Sequence, residues 1–299
     1  MSLPLLGMLL GALSATPSDS IPGTPWTHED WQIFEATVRW ADQAGLAGVP
    51  QGPAMARIAT HFIGATYTPA TLEVPGAERL VVNFRAFDCV TFVENVIALA
   101  WFVRHDGRAL LADPPAARRR YEAHLTALRY RSGVIDGYPS RLHYFSEWLT
   151  DNAARGQLAL VSDTFGTRLD DEPIRFMTDH PSAYRQLAEP GVTGAIGRIE
   201  ARLNVARGRR MVPEAEIATS ESQIRDGDVI AATSTLYGLD VAHTGIAVWH
   251  EGRVHLLHAP LVGKTVERSA VPLAERILAQ KAQDGIMVGR VSDAPAAHR

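Results

Sequence analysis

One cysteine, Cys89, stands directly after an aspartate at the start of an apolar run, and two histidines, His243 and His258, flank a short turn far downstream. These are the residue types that thiol-based hydrolysis needs: a nucleophile, a base to take its proton, and a polar group to orient the base. Residues 84–102 read FRAFDCVTFVENVIALAWF, and Cys89, Phe92, Val93, Val96, Ile97, Ala100 and Trp101 recur at steps of three and four. That spacing predicts an α-helix with these residues on one core-facing side. Asp88 is a good N-cap, so the thiol falls in the first turn, where unpaired backbone N–H groups and the helix dipole favour an anion. A cysteine so placed beside an imidazole is expected to have a pKa well below the free value of about 8.5. A free cysteine is as much at home as a small buried hydrophobe, and the helix by itself leaves both readings open.

The histidines must be brought to the cysteine by strands. Residues 229–233, 242–249 and 253–259 carry a strand pattern, and His250, Glu251 and Gly252 between the last two read as a compact hairpin connection. His243 and His258 lie fifteen positions apart, and antiparallel pairing about Glu251 brings them together at one end. A zinc hydrolase built on His243, His255 and His258 is disfavoured, because His255 and His258 are an odd number apart and face opposite sides of a strand. His250 and His255 are expected to be polar residues of an exposed hairpin. No metal and no organic cofactor is expected.

Upstream, residues 27–46 and 55–63 read as helices and LVVNF at 80–84 as a strand, which leaves Tyr67 on a loop, by default a half-buried anchor. Residues 105–225 are rich in Pro, Gly and Arg and read as a helical and loop insertion with helices near 114–130, 142–154, 181–186 and 194–206. Within it GYPSRLHYFSEW, at 137–148, has the aromatic and polar mix of a binding groove, though each aromatic serves equally as an anchor to the core.

Across 299 residues, 46% hydrophobic content is ample for a large core, and a net charge of −4 argues against a nucleic-acid partner. A lone cysteine forms no internal disulfide and no cysteine zinc cage. Residues 3–13 are apolar and precede Ser14, Ala15 and Thr16, as in a secretory signal that lacks its basic flank. The expected layout is a signal segment at 1–15 and a single catalytic domain at 16–299 with the insertion at about 105–225, in a periplasmic or secreted protein. No run is long enough to span a bilayer, and no protein partner is inferable.

GATYTPATLE, DCVTFVE, RDGDVIA, AHTGIAVW and LLHAP, in that order, resemble the NlpC-type cell-wall cysteine peptidases, and most closely their N-acetylmuramoyl-L-alanine amidase-like branch. The resemblance implies an α+β, papain-like core, in which a cysteine-bearing helix packs on an antiparallel sheet that carries the histidine. It implies Cys89 as nucleophile, His243 as general base, His258 as the third, orienting residue and Tyr67 as a residue lining the site. The substrate implied is peptidoglycan or its muropeptides. In the peptidase members an aspartate, matched by Asp88, and a serine help to hold a free peptide amino terminus. Val90 and Thr91 follow Cys89 here, which favours the amide between the muramyl lactyl group and L-alanine over D-glutamyl endopeptidase cleavage. A binding protein that keeps the fold without the chemistry is the remaining alternative.

Overall fold

Val229 and Ala231 point to one side of their strand and Ile230 and Ala232 to the other, yet all four are buried. Apolar side chains on both faces of a strand demand cover on both. The computed structural model, which describes residues 19–206 and 209–295, meets this with a mixed α+β fold whose main antiparallel sheet separates two cores. The apolar segment 3–13 and the expected cleavage site lie outside the described residues.

Strands β1 (Thr66–Tyr67) and β2 (Ala86–Phe87) form a small parallel pair. The main sheet comprises β3 (Leu158–Leu160), β4 (Arg168–Asp170), β5 (Arg209–Pro213), β6 (Val229–Ser234), β7 (Val241–His250), β8 (Arg253–His258), β9 (Glu267–Arg268) and β10 (Gln283–Val291). Its order is β4-β5-β10-β6-β7-β8-β9, with β3 also paired to β10. Helices α1 (His28–Gln43), α2 (Gln51–His61), α3 (Cys89–Trp101), α4 (Pro114–Arg129) and α5 (Phe145–Ala154) supply one core, in which Phe34, Phe92, Leu125 and Trp148 join Ala231, Ile246 and Leu257. On the opposite face Ile230, Ala247, Leu256 and Ile286 pack with Leu273 and Ile277 of a later helix. Helix α6 (Val192–Val205) belongs to a smaller third cluster with Tyr138, Tyr144 and Met177, and the later helix is α7 (Leu273–Leu278).

Several expectations are corrected. LVVNF is not a strand: the Phe84 N–H donates to Asp30 at 2.8 Å and the Val81 carbonyl accepts from Arg129 at 2.7 Å, so side chains satisfy backbone groups that a strand partner would otherwise have taken. Residues 105–225 are not only helix and loop, since β3, β4 and β5 carry them into the main sheet, and 181–186 forms short 3-10 turns instead of a helix. These strands are short and two are polar, which hides any alternation. Strand β10 was also not foreseen, because Gly285 and Gly289 break its pattern; a Cβ on Gly285 would overlap the Val212 carbonyl of β5, so that approach requires glycine.

The aromatics of 137–148 take the anchoring role of the two that their composition allows. Tyr138, Tyr144, Phe145 and Trp148 are buried, the Tyr144 hydroxyl donates to Glu200 at 2.7 Å, and Arg141 pairs with Glu73 at 2.9 Å. They anchor the inserted segment to the rest of the fold. Helix α3 is likewise buried on every side from Thr91 to Trp101, not on one face. Its polar members have internal partners: Asn95 accepts from the Tyr121 hydroxyl, and Glu94 pairs with Arg129 at 2.7 Å.

Candidate active site

Helix α3 begins at Cys89 because Asp88 and Thr91 close a reciprocal cap. Asp88 Oδ1 accepts from the Thr91 N–H at 2.8 Å, and the Asp88 N–H donates to Thr91 Oγ1 at 2.9 Å. Strand β2 ends one residue before the cap, and its parallel pairing sets Tyr67 opposite Phe87. Tyr67 is therefore on a two-residue strand, not a loop, close enough to the helix start for Cys89 and Asp88 to influence its hydroxyl electrostatically. Its hydroxyl carries no hydrogen bond to a protein group among the described residues. The chain beyond β8 folds back over this corner: the Tyr67 N–H donates to the Lys264 carbonyl at 2.8 Å.

The hairpin turns through Glu251 and Gly252, both at positive φ, and pairs His250 with Arg253. From that register β8 runs until His258 stands across from Gly245. A Cβ at 245 would lie 2.7 Å from the Leu257 carbonyl and 3.0 Å from the His258 Cβ, so glycine lets the two strands close at this point. His243 and His258 meet there: His243 Nε2 lies 2.8 Å from His258 Nδ1, with the rings nearly perpendicular. The adjacent Thr244 presents its backbone N–H to the Cys89 sulfur. The sulfur thus lies against the residue next to His243. His255, by contrast, is buried with Nδ1 2.8 Å from the Ser269 carbonyl, not an exposed hairpin residue, because the segment after β9 covers it.

Electrostatics correct the expected thiolate. Burial, and then the Asp88 charge, push the Cys89 thiol up to about 12, and the N–H groups of Thr244, Cys89 and Val90 oppose the rise without cancelling it. Burial, and then the Arg276 guanidinium, hold His243 down at about 3. Burial, His243 and Arg276 together hold His258 down at about 2. Burial, then Cys89 and Asp88, raise the Tyr67 hydroxyl to about 12. At neutral pH these shifts leave Cys89 a thiol and both imidazoles neutral. Helix position favours a thiolate, but enclosure by protein and a carboxylate one residue away outweigh it. Iodoacetamide alkylation of the folded protein should be slow at pH 7 and climb about tenfold per pH unit to pH 10, whereas the urea-unfolded chain should level off near the free-thiol value of about 8.5. A plateau for the folded protein below pH 8 would mean that a thiolate–imidazolium pair exists at rest.

Sequence reading missed Thr244, Arg276 and Glu267 as neighbours of the site. Glu267 pairs directly across from His258 on β9, a two-residue strand with no pattern of its own. Arg276 comes from α7, on the face opposite α3, and nothing in its local sequence points to the histidines. A cleft of about 840 Å³ lined by Gln51, Arg225, Trp249 and Arg290 lies toward the other end of β7 and includes none of the candidate residues.

Residues 57–286 match the AmiA-like family, described as N-acetylmuramoyl-L-alanine amidase-like, and the chain belongs to that family of amidase-like peptidoglycan hydrolases. Its fold is similar to that of an N-acetylmuramoyl-L-alanine amidase from Bacteroides uniformis, with 33% identity, a TM-score of 0.73, and coverage of 81% of this chain and 99% of that one. It is also similar to a Bacteroides fragilis protein described as a candidate xylanase, with 31% identity, a TM-score of 0.70, and coverage of 78% and 98%. A protein from Legionella pneumophila shares the fold at 18% identity and a TM-score of 0.61, over 89% and 97%. No curated protein sequence matches. Among the described residues no helix is long and apolar enough to cross a membrane.

Proposed function

We propose that this chain is a cysteine amidohydrolase of the cell envelope that cuts the amide between the muramyl lactyl group and L-alanine of muropeptides or murein. In this reading residues 16–299 form a single catalytic domain on a papain-like, NlpC-type core, acting with no metal or organic cofactor. The observation that carries it is the 2.8 Å contact between His243 and His258 beside the Thr244 N–H that meets the Cys89 sulfur. Family membership and the amidase named from Bacteroides uniformis supply the substrate class.

The chemistry follows from the groups present. His243 uses one ring nitrogen toward His258, so its Nδ1 is the atom left to take the thiol proton. Cys89 Sγ then attacks the amide carbon, and the oxyanion is met by the Cys89 N–H at the helix start and by the Tyr67 hydroxyl. The imidazolium returns its proton to the nitrogen of L-alanine as the C–N bond breaks, leaving a thioester. Water, deprotonated by the same histidine, hydrolyses that thioester to the muramyl lactyl acid and restores the thiol.

Cleavage inside the peptide is less well supported, because the Asp88 carboxylate is engaged with Thr91 and no serine follows Cys89 to help hold a free amine. Glycosidase chemistry needs two carboxyl groups about 5 to 9.5 Å apart across the sugar bond. The candidate residues of this reading are a thiol, two imidazoles, a phenol and a capped aspartate, which fit acyl transfer. Incubation with a defined disaccharide-pentapeptide should release the intact pentapeptide and the free sugar acid by mass spectrometry. A product shortened within the peptide would replace this reading with an endopeptidase, and tight binding without turnover would replace it with a binding protein.

A further inference from the structure

His258 Nε2 is a buried polar atom without a hydrogen-bond partner among the described residues, in a side chain that is 2% exposed. A buried imidazole nitrogen left bare is costly, and its partner should be close at hand. Two charged groups face the histidine pair from the packed elements: Glu267 from β9 and Arg276 from α7. Arg276 is a donor only, and it already holds Gln283 at 3.5 Å. Glu267 Oε1 lies 3.9 Å from His258 Nε2, on the residue directly across the ladder, and its side chain is 48% exposed and so free to turn. Closing the remaining gap of about 1 Å gives a hydrogen bond of ordinary length.

We propose that Glu267 is a positioning residue that fixes the tautomers of the histidine pair by accepting from His258 Nε2–H, which leaves His243 Nδ1 bare for the Cys89 proton. The inference rests on the proposed cysteine mechanism for its catalytic consequence, but not for the tautomers themselves. A hydrogen bond between His243 Nε2 and His258 Nδ1 admits two neutral arrangements. With His243 as donor, His258 Nδ1 accepts, the second proton of the pair sits on His258 Nε2, and a carboxylate acceptor there stabilises it. With His258 as donor, His258 Nε2 is a lone pair facing a carboxylate, and His243 carries its proton on Nδ1, where it cannot accept one from the thiol. Glu267 disfavours that second, unproductive arrangement. When His243 becomes an imidazolium, the same carboxylate lies behind the pair and opposes the Arg276 charge, which otherwise depresses the basicity of both rings.

The test reads tautomers directly. Long-range ¹H–¹⁵N correlation spectra of histidine-labelled full-length protein at neutral pH should show His243 as the Nε2–H form and His258 as the Nε2–H form. In E267A a measurable fraction of His258 should move to Nδ1–H, while E267Q, which keeps a carbonyl acceptor, should retain the parent tautomers. On the disaccharide-pentapeptide, kcat should fall about 10- to 100-fold for E267A and less for E267Q, with KM within about twofold for both. His258 found as Nδ1–H in the parent, or E267A spectra identical to the parent's, would overturn the assignment whatever the rate. Altered tautomers with unchanged kcat would overturn the positioning role. Predicted tautomers in a parent that releases no peptide would sink the amidase reading alone and leave the orienting contact standing.

Discussion

Cys89→Ala is expected to lower pentapeptide release by at least about 10⁴-fold, since loss of the nucleophile in an acyl-transfer site removes the covalent route entirely. The substitution removes one sulfur at a helix start whose geometry is held elsewhere, by Asp88 and Thr91. The fold, judged by far-UV circular dichroism and melting temperature, should be close to the parent's, and muropeptide binding should persist. Cys89→Ser should be nearly as inactive, because a serine hydroxyl is a far weaker acid than a thiol, and the site's neutral imidazole is a weak base held down at about 3. Residual activity within tenfold of the parent in Cys89→Ala would remove the cysteine from the mechanism and send attention to the remaining polar groups of the site.

Arg129→Met should destabilise the protein by about 3 to 5 kcal/mol, the range found when one partner of a buried ion pair is deleted. Arg129 and Glu94 are each 2% exposed at their side chains and lie 2.7 Å apart. Burial pushes the Glu94 carboxyl up and Arg129 pulls it back down, so without the guanidinium the carboxyl must either stay charged in a dry interior or take up a proton. The loss spreads beyond the pair, since Arg129 also donates to the Val81 carbonyl and Glu94 accepts from the Trp148 indole, joining α3, α4, α5 and the segment before β2. Urea denaturation should show the midpoint falling without a large change in slope. The double variant Glu94→Leu, Arg129→Met should recover a substantial part of the loss, because no charge is then stranded. A single-variant loss below 1 kcal/mol would show that the pair is not buried in solution. Glu94 lies on the helix that starts at Cys89, so the same substitution also tests how far the thiol's placement depends on that core.

Legibility differed by element for identifiable reasons. The hairpin that joins His243 to His258 was readable because its register follows from local turn chemistry and a period of two, and the structure brings His243 Nε2 to 2.8 Å from His258 Nδ1. Helix α3 was readable from its cap and its apolar steps, although Glu94 and Asn95 turned out as buried as the apolar side. The segment 80–84 misled because β-branched residues signal a strand only where a neighbouring strand exists, and here Asp30 and Arg129 take that place. For the aromatics of 137–148 the sequence left groove and anchor both open, because composition does not say which way a side chain points, and burial favours the anchor.

By itself, then, the sequence determined what is local or periodic: the capped helix start at Cys89, the pairing of the two histidines, and a likeness to amidase-like proteins. Tertiary structure alone decided the electrostatics of Cys89 and the two histidines and the outer neighbours of that pair. A pKa is set by whatever encloses a group, and the protein atoms around Cys89 raise its thiol where the helix position alone would lower it. The placement of Tyr67, Arg276 and Glu267 depends on pairing and packing between segments far apart in the chain, and no local rule encodes those contacts.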